Sequence, residues 1–210
     1  MASPKEVSVL TCFDVANYFI WIAKTVSGSV THLKLQKLVY YAQGFHLALY
    51  DKALFTEEIK AWDRGPVTCL LWQEFTCYGS SPIPAPDNFD ISIYSESEIA
   101  LLDGIYAKFG HLDPSSLVKM THKEQTWIDA YPQNVITQEA MKEYFKVRVN
   151  SDNSLKAHLL PPSNQSFEEQ SDVKPVTYSV KSDIRKSDAF QAYLASKKER
   201  YEVYRRLARS

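Results

Sequence analysis

One sixteen-residue run, Leu33-Lys34-Leu35-Gln36-Lys37-Leu38-Val39-Tyr40-Tyr41-Ala42-Gln43-Gly44-Phe45-His46-Leu47-Ala48, constrains this chain more than any other. Leu35, Leu38, Val39, Ala42, His46 and Leu49 recur at spacings of three and four, the period of one helix face. The spacing predicts a central helix with Thr31 as N-cap, ending near Tyr50. At about 100° per residue, Gln36, Tyr40, Gln43 and Leu47 form the adjoining strip, and Lys37, Gly44 and Ala48 lie opposite the apolar face. That far side is expected to meet solvent or a closely packed neighbour. Gln, Tyr and His stand where ordinary core helices carry aliphatics, which makes the segment both a spine and a candidate site.

The flanking sequence is also helical. Thr11 with Asp14 three residues on resembles a capping pair for a helix from about Cys12 to Val26, closed by Ser27-Gly28-Ser29. Asp63-Arg64-Gly65-Pro66 reads as a turn, with Pro66 at the first position of a helix from about Val67 to Cys77. Phe89 to Tyr94 alternates and is expected to be extended. Ser95 with Glu98 opens a helix closed by Gly110, and Asp113-Pro114 opens another to about Met120. Thr121 with Glu124 caps a turn carrying Trp127 and Ile128, and Thr137 caps a segment with Met141, Tyr144 and Phe145. Six or seven short helices and at most one hairpin give a mostly α fold: a multi-helix single domain over residues 1–149. Residues 150–186, rich in Ser, Asn, Gln and Pro, read as a linker, and residues 187–210 as a basic amphipathic helix.

Charge is distributed unevenly. Residues 1–149 hold 13 basic and 17 acidic side chains, residues 150–186 five of each, and residues 187–210 six basic and three acidic. A mildly acidic body is a poor surface for nucleic-acid phosphates. Cys12, Cys69 and Cys77 are odd in number and form no Cys-x-x-Cys, so the sequence suggests neither a disulfide framework nor a zinc knuckle. The first residues lack the apolar stretch of a signal peptide, and the run from Val15 to Ala23 is too short to span a bilayer. A cytoplasmic protein with no membrane partner is expected.

Candidate chemistry is sparse. His46 shares the apolar face and is expected to be a core histidine bonded by neighbours such as Gln43 or a tyrosine. His32 and His46 lie roughly 21 Å apart along one helix, and Cys69 and Cys77 about 12 Å apart in another, at about 1.5 Å per residue; neither pair can share an ion, so no metal, cofactor or catalytic residue is expected. A Cys–His pair assembled by the fold has no local signature. Glu124 could serve as a general base, but a capping role with Thr121 explains both residues. Trp62 and Arg64 either pin their turn or present an aromatic and a cation to a partner, and Tyr40 and Tyr41 either pack or form a recognition patch. In the terminal helix, Phe190, Tyr193, Lys197, Arg200, Tyr201 and Tyr204 offer a face for a partner, for this domain or for a second copy.

Five ordered motifs point to a known family: the Leu33 to Ala48 run, Trp62-Asp63-Arg64-Gly65-Pro66-Val67, Tyr78-Gly79, Leu117-x-x-x-Thr121-His122-x-Glu124-x-x-Trp127, and Tyr144-Phe145. Together, over residues 9–149, they resemble the Panacea antitoxin domain, also called SocA-like or phage-associated GepA-like. Leu35, Gln36, Lys37, Leu38, Gln43, His46, Gly65, Pro66, Thr121, His122, Glu124 and Trp127 carry the motif and are expected to serve the fold. The resemblance implies a non-enzymatic antitoxin that binds the protein toxin of an adjacent gene, and delivery of the toxin to a ClpXP-type protease is an implied alternative. Read from residue type alone, Trp62, Arg64, Tyr40, Tyr41 and the terminal-helix residues are the expected contacts, with self-association as another use of the terminal helix. A rival reading, a DNA-binding autoregulator, has the basic tail in its favour and the acidic body against it. The tail after Asn150 has no counterpart in the resemblance.

Overall fold

A computed structural model describes residues 9–26, 28–86, 88–152, 156 and 159–160. Helix α1 spans Cys12–Thr25, and both halves of its capping box form: the Thr11 side chain accepts from Asp14 N, and the Asp14 carboxylate accepts from Thr11 N. Helix α2, His32–Tyr50, follows Thr31 as expected, although the Thr31 hydroxyl makes no cap bond.

Every residue of α2 from Leu35 to Leu47 is buried, which covers all sides of the helix rather than one face. The far side therefore meets a closely packed neighbour, the second of the two expectations for it. Lys37 is fully enclosed, and Gly44 is where a later helix, α7 (Gln138–Ser151), crosses: a Cβ on Gly44 would fall 2.3 Å from Cε2 of Phe145. The pattern showed the apolar face and left solvent and a packed neighbour open for the opposite one; the structure decides for the neighbour.

Between α2 and the next helix the chain forms a hairpin, β1 (Ile59–Trp62) and β2 (Gly65–Thr68), paired antiparallel from Ile59 with Thr68 to Trp62 with Gly65. The helix expected from Val67 starts only at α3 (Cys69–Phe75), because Pro66 and Val67 belong to the strand. Pro66 sits opposite Ala61, whose own N–H and C=O bond Asn134 O and Gln133 N on the other edge. No ladder donor is required of the proline there. Gly65 has φ +91°, and a Cβ would meet Thr121 Oγ1 at 2.6 Å and Lys37 Cε at 2.8 Å. Conformation and space both demand glycine at this turn.

Helix α4 (Glu96–Phe109) begins at the Ser95–Glu98 capping box and α5 (Pro114–Thr121) at Asp113. The expected extended segment before α4 is instead a single 3-10 turn at Ile91–Ile93, where the Asp90 carboxylate accepts from Ser92 N. Helix α6 spans Gln125–Ala130, and α7 is capped by Thr137. Seven α-helices and one two-stranded sheet are thus described, a mostly α fold. The packed chain continues past 149, since Leu159 is fully buried.

Helix α2 is the axis on which α1, α3, α4, α5, α7 and β2 pack. Its aromatics dominate the core: Tyr41 stacks on Phe109 with ring centroids 4.2 Å apart, and Phe45 meets Phe145 edge-on at 4.7 Å. Among the described residues no helix is long and apolar enough to cross a membrane.

Candidate functional site

The polar residues of α2 each satisfy a segment wrapped around the helix. Gln36 Oε1 accepts from Thr68 N at 2.8 Å, and Lys37 Nζ donates to Pro66 O at 2.8 Å, so one turn of α2 holds β2. Gln43 accepts from Leu54 N and Phe55 N and donates to Phe55 O. His46 Nδ1 donates to Lys52 O at 2.7 Å. His46 is therefore the core histidine expected, but its partner is a backbone carbonyl rather than Gln43 or a tyrosine. Burial holds its pKa below the ordinary value, which suits the neutral ring seen donating from Nδ1.

Tyr40 and Tyr41 meet Glu124. Tyr40 Oη donates to Glu124 Oε2 at 2.6 Å and lies 2.7 Å from Thr126 Oγ1; Tyr41 Oη donates to Glu124 Oε1 at 3.1 Å. Arg148 of α7 completes the group with Nη1 at 2.6 Å from Glu124 Oε1, its guanidinium within 6 Å of the rings of Tyr41, Phe45, Tyr144 and Phe145. This overturns two expectations. Both tyrosines are fully buried and present nothing to a partner, and Thr121 and Glu124 form no capping box. The Thr121 hydroxyl instead donates to Val118 O, and Glu124 precedes α6 with its carboxylate turned into the core. Burial raises the Glu124 carboxyl above its ordinary value, while Arg148 and the two tyrosine hydroxyls offset that rise. Sequence reasoning missed Arg148, which lies 24 positions beyond Glu124 in the chain; no local pattern links residues that far apart.

The same packing builds an accessible face at the hairpin. Trp127 Nε1 donates to Trp62 O at 3.0 Å, His122 stacks on Trp127 with centroids 4.1 Å apart, and Tyr131 Oη donates to Asp63 Oδ1 at 3.3 Å. The backbone of the turn is thereby fixed while the Arg64 side chain stays exposed. Among the described residues none bonds or ion-pairs with it. Trp62 meets Trp72 edge-on at 5.5 Å, and Trp72, on α3, is 40% exposed. The two indoles stand on a cleft of about 400 Å³, lined also by His32, Gln36, Arg64 and Gln133. Trp72 was not singled out from the sequence; its only signal is a large aromatic in a short helix otherwise sufficiently packed by Leu71 and Phe75.

The remaining expected contacts, Phe190, Tyr193, Lys197, Arg200, Tyr201 and Tyr204, lie outside the described residues. Among the described residues no group of three or more His, Cys, Asp or Glu could hold a metal ion, and Cys12, Cys69 and Cys77 are free thiols.

These features define a helical domain in which Lys37, His46 and Glu124 are engaged inside the fold and an aromatic cleft carrying Arg64 is accessible. Residues 35–128 match the family model described as antitoxin SocA-like, Panacea domain. No curated protein and no solved structure matches the chain. The matched span runs from α2 through the hairpin to α6, so it contains Glu124 but not its partner Arg148.

Proposed function

We propose that the protein is an antitoxin that neutralises a protein toxin by direct binding, with the hairpin face around Trp62, Arg64 and Trp72 as the contact. The match of residues 35–128 to the antitoxin SocA-like, Panacea domain model is the observation that supports this reading. The face supplies the residue types that dominate protein interfaces, Trp and Arg, on a rigid backbone. The reading is of a binding protein rather than an enzyme. Glu124, the one carboxylate weighed as a general base, is buried with both oxygens engaged.

The test is co-expression with the product of the adjacent gene. That product alone arrests growth, this chain restores it, and the two co-purify. A neighbour that is harmless alone, or one that stays toxic and unbound in the presence of this chain, rejects the antitoxin reading. Direct neutralisation also predicts that toxin abundance is unchanged in rescued cells; a fall in toxin lifetime that depends on a ClpXP-type protease would replace it with delivery to proteolysis.

A further inference from the structure

We propose that the Trp62–Trp72 cleft seats an acidic segment of the toxin, with a carboxylate of that segment engaging Arg64 and an apolar neighbour lying against the paired indoles. The proposal rests on the antitoxin reading and specifies the chemistry of the partner at that site.

The charge around the cleft is unbalanced. Its titratable lining is His32, Asp63 and Arg64. Asp63 already accepts from the Tyr131 hydroxyl, whereas Arg64 has no partner among the described residues. Behind the lining lies the Lys37 amine, which burial leaves only partly protonated at neutral pH. Lys37 is fully buried on α2 beside the cleft residue Gln36, and its sole hydrogen-bond acceptor among the described residues is the Pro66 carbonyl. No carboxylate among the described residues pairs with it. Burial first, and then Lys37, hold both His32 and His122 below the ordinary histidine value, so neither ring adds a cation to the cleft wall. His32 Nε2 accepts from Gln36 Nε2 at 3.2 Å, which keeps that ring nitrogen unprotonated and leaves Arg64 as the positive group of the lining. His122 Nε2 is buried with no partner and adds no negative charge.

An arginine fork beside exposed indoles matches a carboxylate on an apolar stem better than a phosphate chain. The surrounding body decides between the two anion sources. With 13 basic against 17 acidic residues over 1–149, it repels a polyanion along its length but tolerates one carboxylate at a local positive site. A cleft of about 400 Å³ holds the anchor of a partner loop, in the range of about 300–1,000 Å³ that buries a small ligand.

The experiment uses the full chain and the purified product of the adjacent gene, with binding measured by titration calorimetry at low and moderate salt. Arg64→Glu, whose side chain is exposed and unbonded, is expected to keep the wild-type circular dichroism and to weaken binding by at least about tenfold at low salt. Arg64→Lys should retain most of the affinity. A charge-reversal scan of the toxin's Asp and Glu residues should yield one position whose Arg variant binds wild type poorly and binds Arg64→Glu well. If wild type binds the toxin but Arg64→Glu binds within about twofold and no position is rescued, this inference falls while the antitoxin reading stands. If wild type neither binds nor neutralises, the antitoxin reading fails and takes this inference with it. If Arg64→Glu leaves toxin binding intact but abolishes a salt-dependent shift of a promoter fragment, the cleft is a phosphate site and the proposal is wrong.

Discussion

Lys37 shows what a single enclosed charge does to a small domain. Burial lowers its pKa to about 7 from an ordinary 10.5. Between those values the unfolded chain holds a proton that the folded chain has released, so stability rises with pH across that window. Up to about 1.4 kcal/mol per pH unit is available from one such group. Lys37→Met should remove that slope: between pH 7 and 9 the urea midpoint of wild type climbs relative to the variant. Parallel profiles would mean that Lys37 stays charged in the fold. Glu124 and Arg148 make the opposite case, a buried charge with its partner present. Arg148→Met leaves the carboxylate uncompensated and should cost about 3–5 kcal/mol, whereas the double variant Arg148→Met with Glu124→Gln should recover part of that loss. Strictly additive losses in denaturant titrations would show that the pair does not act as a unit.

Gly44 and the hairpin carry the lessons of the secondary elements. Alanine is the better helix former by about 1 kcal/mol, yet Gly44→Ala drives a methyl into the Phe145 ring and should destabilise the protein by about 1–3 kcal/mol net, read from thermal unfolding. A neutral or stabilised variant would mean that α7 does not cross α2 at this point. Caps and periodicity made most helices legible: Thr11, Ser95, Asp113 and Thr137 all cap where the sequence places them. Less was legible where a residue has two local uses. Pro66 fits the first turn of a helix as well as a strand position opposite Ala61, and only the 133–136 segment bonded to the far edge of β1 decides for the strand. Thr121 and Glu124 have capping-box spacing, but Tyr40, Tyr41 and Arg148 draw the carboxylate inward. In the candidate site, Trp62 and Arg64 were readable as residue types on a turn, while the pairing of Trp62 with Trp72 depends on how α3 returns over the hairpin.

Across the whole molecule, the matched family segment and the folded unit do not coincide. The segment ends at residue 128, yet α7 supplies Phe145 and Arg148 to the core, and Leu159 is buried beyond it. A chain ending at residue 162 should therefore unfold cooperatively with the helical signal of the body, and one ending at 149 should have a lower melting temperature. Equal melting would show that Leu159 contributes nothing. Deleting residues 187–210 should preserve the fold and weaken toxin binding; full affinity in that variant would assign the terminal segment another task. The bonding of the hairpin through its backbone has an evolutionary reading as well. Because Gln36, Lys37 and Trp127 grip Thr68, Pro66 and Trp62 by main-chain atoms, the side chain at 64 takes no part in holding its own loop. Sequence can drift at that tip with the frame unchanged, so a lineage carrying this domain is able to change what the tip meets by altering a few outward-facing residues.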